Sequence, residues 1–139
     1  MRAISRTIAA AATRYRGPMP ALSPRIAIVD DDDAVLESTR FLLEISGHAV
    51  ATFTSAVDFL ASADSRAYDR LILDHHMPRL TGLELARHLR EAGVRIPTML
   101  LTGSLTPDII TRAGELGLER VVEKPASEAD LMAFVEAAA

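Results

Sequence analysis

The chain has 139 residues, about half apolar and about a quarter charged, which suits one globular domain of ordinary size. Its net charge of −4 is unevenly spread: residues 1–25 carry five arginines and no acid, while residues 26–139 carry 10 basic and 19 acidic side chains. An acidic body is a poor match for a nucleic-acid backbone and a better one for a divalent cation or a basic partner. The absence of cysteine excludes disulfides, thiolate metal sites and a cysteine nucleophile, and no apolar run approaches a membrane span, which suits a cytoplasmic setting.

Residues 1–24 read as a separate extension rich in Ala, Arg, Ser and Thr, ending in Gly17-Pro18-Met19-Pro20 and Ser23-Pro24. Three readings stand. It is a disordered tail or the product of a start placed before Met19; or an Arg-rich, acid-free targeting peptide; or a partner-docking helix with Ile4, Ile8 and Ala11/Ala12 on one face. From residue 25 a strand–helix pattern repeats five times. Ile26–Val29 is an apolar run, followed by a helix over 33–46 with Val35, Leu36, Leu42, Leu43 and Ile45 apolar and Gly47 as its stop. Ala49–Phe53 is the second strand, and Ser55 caps a helix bearing Val57, Leu60 and Ala61. Leu71–Leu73 is the third strand, and the helix from Gly82 to Ala92 puts Leu85, Ala86 and Leu89 on one face. Pro97–Leu101 is the fourth strand, and Thr106-Pro107 opens the next helix. Arg120–Val122 is the fifth strand, and Ser127–Ala138 the last helix, with Leu131, Phe134, Val135 and Ala138 inward.

Such alternation implies an α/β fold, a parallel sheet covered by helices on both faces, with ligands at the carboxyl ends of the strands. All the polar chemistry stands there. The first strand ends in Asp30-Asp31-Asp32-Asp33, the third in Asp74, the fourth in Thr102-Gly103-Ser104 and the fifth in Glu123-Lys124-Pro125. Lys124 is the only lysine, against fourteen arginines, which invites a site-specific explanation. Clustered carboxylates repel one another unless a cation offsets them. Magnesium takes one or two carboxylates and welcomes phosphate oxygens, which a hydroxyl and a lysine would meet from the other side. The constellation reads as a Mg2+-assisted phosphoryl site with an aspartate nucleophile. Each residue also has a plainer reading. Asp32 and Asp33 are better taken as helix caps. Asp74 could be a turn residue, Thr102 a loop hydroxyl and Lys124 a solvated charge, but these would have to hold together at several strand ends at once. His75 and His76 are loop neighbours whose side chains diverge, so a transition-metal pair is not expected. Instead the carbonyl of His76 can reach a cation beside Asp74 while its ring hangs over the site mouth.

The segments IVDDDD, LILDHHMPRLTG, LLTGS and VEKP, in order and at family spacing, resemble the signature blocks of a bacterial response-regulator receiver domain, of the FixJ type within the CheY-like superfamily. The resemblance covers residues 25–139. It implies a flavodoxin-like (βα)5 three-layer sandwich with a five-stranded parallel sheet in the order 2-1-3-4-5. It implies that Asp74 accepts a phosphoryl group from a phosphohistidine on a sensor kinase or phosphotransfer protein. Asp31 would ligate Mg2+ (or Mn2+) directly, Asp30 through water, and Asp74 and the carbonyl of His76 would complete the protein ligands. Thr102 and Lys124 would bind the phosphoryl group, Gly103 would leave room beside the acceptor, and the Lys124–Pro125 peptide would be cis. Met77, Pro78 and Gly82 fall on the loop and turn positions of the D-x-x-M-P-x-x-x-G block.

Two departures stand out. Val121 occupies the place where many receivers carry an aromatic switch. His76 and Ser104 line the approach of hydrolytic water and would alter phosphate lifetime, with a sign that sequence does not give. The expectation is a single-domain cytoplasmic regulator that catalyses only its own phosphorylation and dephosphorylation. It would signal through protein contacts, with homodimerisation through the helix 4–strand 5–helix 5 face and no direct nucleic-acid binding. The alternatives are the receiver part of a FixJ-type transcription factor, a phosphate-independent pseudo-receiver, and a phosphatase of the haloacid dehalogenase type. That last class wants a second aspartate where His76 stands.

Overall fold

The computed structural model describes residues 24–62 and 67–137, in which five strands alternate with five helices. In chain order they are β1 (Arg25–Val29), α1 (Asp33–Ile45), β2 (Ala49–Phe53), α2 (Ala56–Ala61), β3 (Arg70–Asp74), α3 (Gly82–Glu91), β4 (Thr98–Thr102), α4 (Pro107–Glu115), β5 (Arg120–Glu123) and α5 (Glu128–Val135). The strands form one parallel sheet in the order β2-β1-β3-β4-β5, the flavodoxin-like order expected. The readings made of the N-terminal extension up to residue 23 lie outside the described residues.

The three central strands are buried because helices cover both of their faces, and this is why they read as unbroken apolar runs. Side chains alternate across the sheet. Ala27 and Val29 of β1 face a core built with Phe59 of α2, Leu83, Leu85 and Leu89 of α3, and Ile109 of α4. Ile26 and Ile28 face the opposite core, with Leu36 and Leu43 of α1 and Leu131, Phe134 and Val135 of α5. The edge strands β2 and β5 are only partly covered.

Local signals set the helix starts. Asp32, Ser55, Thr81, Thr106 and Ser127 each sit at an N-cap in extended backbone and accept from amides of the first turn. Four apolar residues, Ile45, Val57, Leu60 and Ala61, depart from the expected inward pattern and are exposed. Ile45, Val57 and Leu60 are 65%, 50% and 40% exposed. In α1 the buried line runs Leu36, Thr39, Leu43, so Ile45, two residues past its last member, lies off that face. The short α2 buries Ala56 and Phe59, three apart, and Val57 and Leu60 follow each of these by one residue onto the outer side. Ala138 lies outside the described residues.

At the end of the sheet remote from the aspartates, Arg70 fastens the last helix. Its buried guanidinium donates to the carbonyl of Phe134 at 3.3 Å through Nε, and to those of Asp69 and Ala137. Phe134 lies in the last turn of α5 and Ala137 two residues past its end, where a helix leaves carbonyls without a partner of its own.

Candidate functional site

The run of four aspartates after β1 divides by task. Asp30 is buried, and its Oδ1 accepts from the amide of Asp32 at 2.9 Å. Asp31 is exposed. Asp32 turns to the helix and accepts from the amides of Ala34 and Val35 at 3.0 and 3.2 Å, as its capping role requires. Asp33 begins α1, where its charge favours the positive end of the helix.

β3 is hydrogen-bonded between β1 and β4, and it delivers Asp74 to the same rim with only 3% of the residue exposed. Asp30, Asp31 and Asp74 each place one carboxylate oxygen so that all three lie within 4.8 Å of one another. Lys124, at the end of β5, reaches both buried acids: its Nζ stands 2.9 Å from Asp30 Oδ2 and 3.1 Å from Asp74 Oδ1. The amide of His76 donates to Asp74 Oδ1 at 3.3 Å. Burial, followed by the charge of Asp30, pushes the Asp74 carboxyl above its usual range; Lys124 and the His76 amide oppose this without reversing it. Burial would lower the Lys124 ammonium, but its bonds to Asp30 and Asp74 outweigh that and hold it high. The donors gathered here are carboxylate oxygens, a hard set that fits Mg2+ or Mn2+ and not a thiolate or imidazole-seeking metal.

Thr102 ends β4 with its side chain buried. Its Oγ1 lies 3.0 Å from His76 Nε2, 3.0 Å from the Ser104 carbonyl and 3.2 Å from the Ser104 amide nitrogen. The His76 ring is therefore committed to the Thr102 hydroxyl and does not simply hang over the mouth. The His75 ring lies edge-on to it, with centroids 5.0 Å apart, and burial holds that imidazole below its usual range. Gly103 faces the same ring: a Cβ added there would meet His76 Cδ2 at 3.9 Å, ordinary contact. The space at Gly103 thus borders His76. The Lys124–Pro125 peptide is cis, as expected. Val121 packs half-buried against the core on the α3 and α4 side.

The loop from Asp74 to α3 holds features that sequence reading missed. Met77 is buried and Pro78 exposed. Arg79 has a φ of 71°, and the Leu80 amide donates to the Pro78 carbonyl at 2.8 Å across it. A positive φ with that bond is the tight, strained γ-turn. Gly82 is the first residue of α3, and its φ is not in the left-handed region. Its turn role is replaced by a steric one: a Cβ would stand 2.5 Å from the Asp74 carbonyl oxygen and 2.7 Å from Leu100 Cδ1. Thr81 and Glu84 close a reciprocal capping box that seats the helix here. Pro-x-x-x-Gly marks the turn in sequence, and Thr-x-x-Glu marks the box.

Comparison with known proteins gives one consistent answer. The family model described as response regulator receiver domain matches residues 26–136. The chain is 38% identical over 119 residues to the transcriptional regulatory protein FixJ of Azorhizobium caulinodans, covering 86% of this chain and 56% of that protein. It is 36% identical over 116 residues to the response regulator MprA of Mycobacterium bovis, covering 84% and 50%. It thus spans about half the length of these curated relatives. Among solved structures, FixJ-N superposes with a TM-score of 0.75 at 31% identity, covering 84% of this chain and 93% of that one. A BeF3-activated DrrB receiver domain does so at 0.72 and 31%, covering 82% and 95%. The chemotaxis protein CheY4 of Vibrio cholerae, at 23% identity, a TM-score of 0.75 and coverages of 82% and 97%, shares the fold.

Proposed function

Because the chain belongs to the response regulator receiver domain family, we propose that it is a phosphorylation-driven switch with Asp74 as the acceptor. The observation that carries this reading is the convergence of Asp30, Asp31, Asp74 and Lys124 at the ends of three strands. An oxygen of Asp74 attacks the phosphorus of a phosphohistidine on a sensor kinase or phosphotransfer protein. The P–N bond breaks, an acyl phosphate forms, and the histidine leaves neutral after taking up a proton. Asp31 would hold Mg2+ directly and Asp30 through water, with Asp74 and the His76 carbonyl as the remaining protein ligands. Bound there, the cation supplies charge to offset the three carboxylates and the transferring oxygens. Lys124, already against Asp74, pairs with the phosphoryl group, and Thr102 provides a hydroxyl to it. The chemistry is confined to the protein's own phosphorylation and hydrolysis, in the cytoplasm.

The phosphoryl group then biases a two-state equilibrium that partner proteins read. Incubation with acetyl phosphate and Mg2+, followed by intact mass, tests this. One phosphoryl adduct is expected, absent in Asp74→Asn. Catalytic turnover of a generic phosphomonoester would instead place the chain among hydrolases.

A second reading concerns the output. The curated relatives are about twice as long as the matched region, and FixJ is a transcriptional regulator. The same switch then serves as the receiver part of a longer regulator, with dimerisation through α4, β5 and α5. Sedimentation with and without beryllofluoride distinguishes a dimerising switch from a monomeric one.

A further inference from the structure

His76 is exposed, yet its Nε2 lies within hydrogen-bond distance of the buried Thr102 hydroxyl. A threonine hydroxyl has one proton to give and two lone pairs to receive. Here the Ser104 amide donates to it at 3.2 Å, the Ser104 carbonyl lies 3.0 Å away as acceptor, and His76 Nε2 stands at 3.0 Å. With a proton on Nε2, the hydroxyl receives two bonds and gives one to Ser104, so its capacity is full. With Nε2 bare, the single hydroxyl proton serves either the ring or the Ser104 carbonyl. In the second case the ring competes directly for that proton with a phosphoryl oxygen, which can only accept; in the first, Ser104 takes the proton and the ring fixes the hydroxyl oxygen in place.

The ring is well placed to keep this contact. His76 follows the end of β3, whose last residue Asp74 is in register with Leu101 of β4, next to Thr102. The ring packs edge-on to His75, with centroids 5.0 Å apart, and its Cδ2 is the nearest atom a Cβ at Gly103 would meet.

We propose that His76 is a positioning residue that latches Thr102 in the resting state and competes with the phosphoryl group for its hydroxyl. The inference rests on Asp74 being the acceptor. Activation then requires the Thr102 hydroxyl to turn from His76 and Ser104 toward the phosphoryl group, so the imidazole sets the resting balance of the switch in addition to lining the site. Removing it lowers the free-energy cost of the activated arrangement.

The test uses beryllofluoride with Mg2+ as the phosphoryl mimic, titrated into the whole chain while amide NMR shifts of Thr102, Gly103 and Ser104 are followed. His76→Ala and His76→Phe are both expected to bind about three- to tenfold more tightly than the parent, the scale of one net hydrogen bond. In both, the unliganded amides should already be displaced toward their bound positions. His76→Gln, which keeps a polar group in reach of Thr102, should return toward the parent. Parent-like affinity and shifts in both Ala and Phe variants overturn the latch while leaving the acceptor assignment intact. Tightening in Ala but not in Phe also overturns it, because bulk alone would then explain the effect. No binding of the mimic by the parent protein overturns the acceptor assignment and the latch together.

Discussion

Lys124, directly after β5, and Asp74, the last residue of β3, meet at 3.1 Å across the end of β4, and the same ammonium stands 2.9 Å from Asp30. Lys124 is thus the protein's own counter-ion for two buried carboxylates. Without metal, Lys124→Ala leaves them facing each other uncompensated. We expect a loss on the order of 3 kcal/mol at neutral pH, the scale of breaking a buried pair. Mg2+ should restore much of it, so the rise in Tm on adding Mg2+ should be larger in the variant than in the parent. Thermal melts at matched metal concentrations check this.

Asp74 has a carboxyl raised above its ordinary value of 3.8, through burial and then the charge of Asp30. A folded value above the unfolded one means that folding favours the protonated acid. Its stabilising contribution is full below the unfolded value and is lost as pH rises through the folded one. Asp74→Asn removes that decline. The melting temperature of the metal-free variant should therefore exceed that of the parent by a margin that widens from acid to neutral pH. Mg2+ should raise the parent's Tm and move the variant's much less. A constant margin across pH would contradict this.

Two glycines should respond to alanine with opposite signs. At Gly82 a methyl meets the Asp74 carbonyl oxygen at 2.5 Å, and a backbone atom in the acceptor strand has little freedom to yield. Gly82→Ala should cost about 1–2 kcal/mol after its helix-propensity gain, and should disturb the acceptor strand. Gly114, inside α4, has nothing within 4 Å of the added atom. Gly114→Ala should stabilise by about 0.5–1 kcal/mol. Urea unfolding of the two variants gives both signs directly.

Arg70 holds the end of α5 through the carbonyls of Phe134 and Ala137. Arg70→Met keeps much of the buried volume and removes the donors. A loss of about 2 kcal/mol is expected, since carbonyls now met by a charged donor lose it. Amide hydrogen exchange should quicken in the last turn of α5 first. Uniform acceleration across the sheet would show instead that Arg70 supports the whole domain.

The parallel sheet and the gathering of acids were legible because a parallel sheet sends every strand's end to one rim, whereas the strand order came only from the resemblance to receiver domains. A polar residue closing an apolar run therefore declares itself, as Asp30, Asp74 and Lys124 do. The capping of α1 by Asp32 was legible for a similar local reason. Other features depend on distances that no spacing encodes. Gly82 looks like a turn glycine until the Asp74 carbonyl is seen beside it. The positive φ of Arg79 belongs to an arginine, a residue that carries no such signal. The His76–Thr102 bond depends on a side-chain rotamer across two strand ends. Ile45 and Leu60 misled because a helix one to three turns long leaves terminal apolar residues where periodicity cannot decide the face.

The two margins of the sheet are unequally guarded. β5 opens with Arg120 and closes with Glu123, and charges along a free margin discourage a second chain from adding itself there. β2, Ala-Val-Ala-Thr-Phe, has no charge and no proline along its length. Paired only with β1, this neutral ribbon offers the amides and carbonyls of its outer edge to any similar ribbon nearby. Self-association of the aggregating kind should begin at β2, and a lysine at Ala49, which is already exposed, is the substitution that would blunt it.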